Sequence, residues 1–103
     1  MDQPSEQQSA VSIEKVLPAL ADPMRRALLA RAATQSVSAS QLAKELTISR
    51  QAIAKHLQIL HDAGLVQRKR QGKAVVYATV SGPIAATARW MLRTVERWDQ
   101  PSD

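Results

Sequence analysis

The chemistry this chain can offer is concentrated in two short stretches. In the first, Ser49, Arg50, Gln51, Ala54, Lys55 and Gln58 recur at a spacing that brings them to one side of a helix with 3.6 residues per turn. Two carboxamides, each able to donate and accept at once, stand beside two cations, and the small Ala54 lets the backbone approach a surface closely. That combination suits the edges of base pairs in the major groove of DNA. In the second stretch Arg68, Lys69, Arg70 and Lys73 place four cations within six residues, a pattern for a polyanion backbone rather than for catalysis.

Few other reactive groups exist. With no cysteine, neither a disulfide nor a thiolate metal site can form. His56 and His61 are turned more than about 100° from each other on a helix, so they make a poor zinc pair. His56 is expected to be a satisfied structural histidine, and His61 a passive, solvated group near the helix end. No nucleophile beside a base, no paired carboxylates and no phosphate loop are found, which argues against an enzyme, and no cofactor is implied.

The balance of residues agrees. A length of 103 residues suits one domain, and 45% apolar content with only 3% aromatics means a modest core of Leu, Ile, Val and Ala, one that gains from a second copy. Between positions 44 and 73, Lys44, Arg50, Lys55, Arg68, Lys69, Arg70 and Lys73 are opposed only by Glu45 and Asp62, and this local excess points to nucleic acid. A protein-interaction module is the competing reading, but its exposed face and hairpin would carry fewer cations. No apolar run approaches the roughly 20 residues of a membrane span, and the acidic, polar N-terminus is unlike a signal peptide. A cytoplasmic protein with no membrane partner is expected.

Several elements must position these groups. Residues 1–10 lack periodicity and are expected to form a disordered tail, 11–98 a single domain, and 99–103 a polar end. The first helix, carrying Ile13, Val16, Leu17 and Leu20, is either kinked at Pro18 or begins near it. Asp22-Pro23 starts a second helix to about Thr34, with Met24, Ala27, Leu28 and Leu29 inward and Arg25, Arg26 and Arg31 on a solvated face. After a polar break at Ser36–Ser40, a short helix to Leu46 turns through Thr47-Ile48-Ser49 into the helix with the reading face. Thr47 suits that turn only if its backbone is right-handed; otherwise it is strained. Ser49 caps the reading helix and Gly64 ends it, and Ala52, Ile53, Leu57, Ile59, Leu60 and Ala63 form its packing side. Leu65–Arg70 and Ala74–Val80 form a hairpin around Gln71-Gly72, with Arg70 facing Lys73 and Val66 opposite Tyr77. The result is a mainly α fold with one β-hairpin, in the order α-α-α-α-β-β-α: a winged helix-turn-helix.

The last helix starts at Ser81-Gly82-Pro83, and Ile84, Ala88, Met91, Val95 and Trp98 recur at heptad spacing, widened by Leu92 and Trp90. So long an apolar seam calls for a partner, and a homodimer is expected.

The segments A-L-A-D-P-M-R-R-A-L-L, Q-L-A-K-E-L, S-R-Q-A-I-A-K-H-L-Q-I-L-H-D-A-G-L-V and G-K-A-V-V-Y, in this order and spacing, resemble the ArsR-type bacterial winged-helix regulators. The resemblance implies a homodimeric repressor that binds a pseudo-palindromic operator on double-stranded DNA, with the dimer built from the first and last helices. Ile13, Val16, Leu17, Ile84, Ala88, Met91, Leu92, Val95 and Trp98 would form that interface. The family's thiolate motif falls here on Ser38 and Ser40, and residues 81–95 offer Arg89 and Arg93 as their only charged groups, so neither of the usual metal sites is present. The chain is similar to the subgroup without those ligands, whose effector, if any, the sequence does not name.

Overall fold

Asp22 sets the first corner. The computed structural model describes residues 13–99; the expected tail at 1–10 and residues 100–103 of the polar end lie outside the described residues. Residues 13–20 are helical (α1) straight through Pro18, and the chain turns at Ala21-Asp22 into α2, Pro23–Thr34. Asp22 Oδ1 accepts from the amides of Met24 (2.7 Å) and Arg25 (3.2 Å), and Pro23 stands first in the helix, where no amide hydrogen is missed. Leu28, Leu29 and Ala32 are the buried side of α2. The expected inward Ala27 is exposed instead, because the buried stripe is centred a residue further round the helix, and Met24 is only half-buried.

Val37–Ser38 form a two-residue strand (β1) within the stretch expected to be a plain polar break. Ser38 then caps α3, Ala39–Leu46, its Oγ accepting from the Gln41 amide at 3.2 Å. The turn out of α3 resolves the question over Thr47: its backbone is left-handed, at φ 56° and ψ 44°, so this β-branched residue is strained. Ile48 N–H reaches back to Ala43 O at 3.3 Å, and the chain enters α4, Arg50–Asp62.

Both ends of α4 are closed as expected. Ser49 Oγ accepts from Ala52 N–H at 3.1 Å. At the other end Gly64 adopts φ +77°, Leu65 N–H bonds Leu60 O at 2.9 Å and Gly64 N–H bonds His61 O at 3.0 Å, the paired bonds of a Schellman motif. Leu60 and Leu65, the two side chains such a motif brings together, are both fully buried. Ile59 departs from expectation: it is 43% exposed, because it faces an unfilled groove between α1 and α4 lined also by Pro18, Ala19 and Ala63.

The hairpin of β2 (Val66–Gln71) and β3 (Ala74–Thr79) closes on Gly72-Lys73, one residue later than expected. Gly72, at φ +65°, takes the first central position, where a tight hairpin turn needs a positive φ. Arg70 therefore lies opposite Val75 rather than Lys73, and Val66 opposite Thr79 rather than Tyr77. The like-charge pair at the tip does not form. On its other side β3 pairs with β1, Val37 opposite Tyr77, giving the order β1-β3-β2.

Leu28, Leu42, Ile53, Leu57, Leu60, Leu65, Val16 and Val37 are the fully buried centre, drawn from all four of the first helices, from β1 and from Leu65 just before β2. Tyr77 is the aromatic residue packed against it. The last helix, α5 (Ser81–Trp98), joins this body only at its start. Val80 N–H bonds Leu65 O at 2.8 Å, Ile84 packs on the core, and Thr87 is buried with its hydroxyl donating to Pro83 O. Beyond that the helix carries apolar surface into solvent: Met91 is 49% exposed, Leu92 61% and Trp98 82%.

Candidate nucleic-acid interface

Helix α4 divides cleanly around its axis. Ile53, Leu57 and Leu60 are buried, while Ser49, Arg50, Gln51, Ala54, Lys55 and Gln58 are all exposed. The structure thus brings the six expected reading residues together on one open face. Arg68, Lys69, Arg70 and Lys73 are exposed on the hairpin. Strand alternation sends Arg68 and Arg70 to one face and Lys69 to the other, with Lys73 in the turn. A cationic wing therefore presents charge in more than one direction, as suits a surface that follows a phosphate backbone.

Two side-chain linkages tie together the helices around α4. Arg31 grips Glu45 with two parallel bonds, Nε to Oε1 at 2.8 Å and Nη2 to Oε2 at 3.1 Å, and thereby joins α2 to α3. Gln41 adds a third bond to the same carboxylate. Donation from Arg31 holds the Glu45 carboxyl below its ordinary range, against the opposing effect of desolvation. Arg25 makes the second linkage, and here the expected solvated face is wrong. Its side chain is only 14% exposed: Nε donates to Ala19 O at 2.7 Å, Nη2 donates to Pro18 O at 3.2 Å, and Nη1 lies 3.4 Å from His56 Nδ1 on α4. Arg26 donates to Leu20 O at 2.7 Å. The last carbonyls of α1, which have no partners within their own helix, explain why these guanidiniums fold back onto its end. His56 accordingly occupies a structural position beside Arg25. His61 is half-buried rather than freely exposed, with Nδ1 3.9 Å from Asp62 Oδ1.

The expected interface residues separate into three groups. Val16 is fully buried in its own core and has no surface left for a second chain, because α1 turns that side toward the rest of the domain. Ile13 and Ile84 are half-buried, while Leu17, Ala88, Met91, Leu92, Val95 and Trp98 are exposed. Sequence reasoning missed the capping role of Arg25 and Arg26, whose one local signal was their place just after a short, proline-containing helix. It also missed a bond from Gln58 Nε2 to Asp62 Oδ1 at 2.9 Å, though the spacing of four residues could have suggested it. Among the described residues no group of three or more His, Asp or Glu side chains could hold a metal ion, and no helix is long and apolar enough to cross a membrane.

A capped helix with an open amide-and-cation face, set after a short helix and followed by a basic hairpin, defines a winged helix-turn-helix DNA-binding protein. Comparison with known proteins agrees with that class. A helix-turn-helix domain family model matches residues 20–68. The transcriptional repressor SdpR of Bacillus subtilis is 28% identical over 87 residues, covering 84% of this chain and 97% of the repressor. Among solved structures, an ArsR-like transcriptional regulator from Rhodococcus sp. RHA1 is 38% identical with a TM-score of 0.78, over 85% of this chain and 83% of that one. A second ArsR family regulator is 29% identical at the same TM-score, over 99% and 100% of the two chains. The chain belongs to the ArsR-type family of winged helix-turn-helix transcriptional regulators.

Proposed function

We propose that this regulator is a cytoplasmic homodimeric repressor that binds a pseudo-palindromic operator, with residues 11–98 as its DNA-binding and dimerising unit. One observation carries the reading: Arg50, Gln51, Lys55 and Gln58 are exposed together on a helix capped at both ends, beside a wing bearing four exposed cations. Gln51 and Lys55 reach base edges, flanked by Ser49, Arg50, Ala54 and Gln58, and carry sequence preference. Arg68, Lys69, Arg70 and Lys73 contact backbone or the adjacent minor groove and carry affinity. The second copy is supported by the apolar side of α5, where Met91, Leu92, Val95 and Trp98 stand in solvent, and by Leu17, exposed on α1 with Ile13 half-buried on the same helix. Ser38 and Ser40 in place of thiolates, and Arg89 and Arg93 in place of ligands on α5, support a repressor indifferent to metals through the family's usual sites.

Mobility shifts on duplex DNA at three or more salt concentrations test the division of labour. Gln51→Ala is expected to weaken operator binding by about 1–3 kcal/mol with little effect on random duplex. Arg70→Ala is expected to weaken both alike and to lower the log–log salt slope by about 2, one phosphate per subunit. A uniform effect of Gln51→Ala with a sequence-selective effect of Arg70→Ala reverses the assignment.

A further inference from the structure

Asp62 occupies an expensive place for an anion. It is the last residue of α4, at the negative end of the helix dipole, and it is exposed on the same stripe as Gln51, Lys55 and Gln58, one turn beyond Gln58. On the proposed reading it also stands on the side turned toward phosphates. Its carboxylate nevertheless has a definite partner. Of the long side chains on that face, Arg50, Gln51, Lys55 and Gln58, only Gln58 is held by a side-chain hydrogen bond among the described residues, from Nε2 to Asp62 Oδ1 at 2.9 Å.

We propose that Asp62 is a positioning residue for sequence readout: it fixes which way round Gln58 presents its amide to DNA. This rests on the reading of α4 as the base-contacting helix. A glutamine amide can usually rotate by half a turn and exchange its oxygen for its nitrogen. Against an ionised carboxylate it cannot, because the carboxylate accepts from N–H and repels Oε1. The N–H remote from Oε1 is the one donated, since donating the near one would bring Oε1 against the carboxylate. Oε1 and the other N–H are left side by side on the free edge. That acceptor and donor pair matches the N6 amino group and N7 of adenine. Asp62 touches no base in this arrangement; it removes the reversed amide from the population.

The test is selection of binding sites from a randomised duplex library by the full chain and its variants, read as base preference at each position of the enriched motif. Asp62→Asn keeps the shape and removes the charge, and the asparagine amide can accept or donate, so Gln58 regains both orientations. Preference at the position that Gln58→Ala relaxes is expected to fall by about fivefold or more, the lower end of a bidentate contact. Asp62→Glu, which keeps the carboxylate, is expected to retain most of it. In a Gln58→Ala background, Asp62→Asn is expected to change no position. A uniform rise in affinity for all DNA with the motif unchanged overturns the proposal, because Asp62 is then only a repelling charge; so does an equal change of motif with and without Gln58. If the parent itself enriches no motif, the DNA-reading assignment of α4 fails first, which separates the two conclusions.

Discussion

Replacing Thr47 should stabilise the protein. Its left-handed backbone costs a residue with a side chain about 1–2 kcal/mol. Its side chain is exposed, so substitution sacrifices no core packing, and the bond that matters, from Thr47 N–H to Ala43 O, belongs to the backbone. Glycine removes the strain but adds about 0.5–1 kcal/mol of unfolded-state entropy. Thr47→Gly is therefore expected to gain about 0.5–1 kcal/mol, which for a domain of this length raises Tm by about 2–6 °C. Thr47→Val keeps the branched side chain and is expected to gain nothing, while Thr47→Pro removes the amide and cannot adopt a positive φ, so it should be strongly destabilising. Thermal unfolding by circular dichroism suffices, at matched protein concentration because self-association shifts Tm. A lower Tm for Thr47→Gly would refute the reasoning, since it would mean that the turn draws stability from the threonine side chain.

Met91→Asp places a charge in the apolar side of α5 and is expected to cost the dimer several kcal/mol; sedimentation should show monomers where the parent gives dimers, and an unchanged dimer would sink the assignment. Arg25→Met takes from the Ala19 carbonyl its Arg25 donor and leaves Pro18 O with the Ala21 amide alone, and should cost about 1–3 kcal/mol in urea unfolding, more than Arg26→Ala, which removes one exposed bond. The depressed folded-state pKa of Glu45 means its contribution is complete above the ordinary glutamate value and is lost as pH falls through the lower folded value. Between about pH 5 and pH 3 the parent should lose more stability than Glu45→Gln; equal losses would show that the Arg31 pair contributes nothing.

What was legible in the sequence was local. Asp22-Pro23, Ser49 and Gly64 mark ends that depend on a few neighbouring residues, and the structure puts caps at each of them. That Ser49, Arg50, Gln51, Ala54, Lys55 and Gln58 share the exposed side of α4 followed from helical geometry alone. What escaped depended on distant partners. Val37 and Ser38 are a strand only because β3 runs beside them, and two residues have no periodicity to read. The hairpin register turned on which residue took the positive φ, and moving the loop by one residue changed every opposing pair while leaving each side chain on its face. Arg25 looked like surface because its partners are backbone carbonyls, which sequence composition does not display. Val16 and Ile59 exchanged roles because the packing of α1 against α4 decides which of them has a neighbour.

The sheet order has one further consequence. In β1-β3-β2 the middle strand is paired on both sides at Val76 and Tyr77, β1 is two residues long, and the outer side of β2 has no strand beside it among the described residues. The row of amides and carbonyls that alternate residues of this six-residue strand turn outward is a template on which another chain can add itself. Arg68, Lys69 and Arg70 occupy the middle of that row, and two such rows approaching one another would bring their charges together before any ladder could close. Neutralising all three to test the proposed DNA contact would therefore also unguard the rim of the sheet. The variant would lose its solubility along with its cations, and its silence in a binding assay would have two causes.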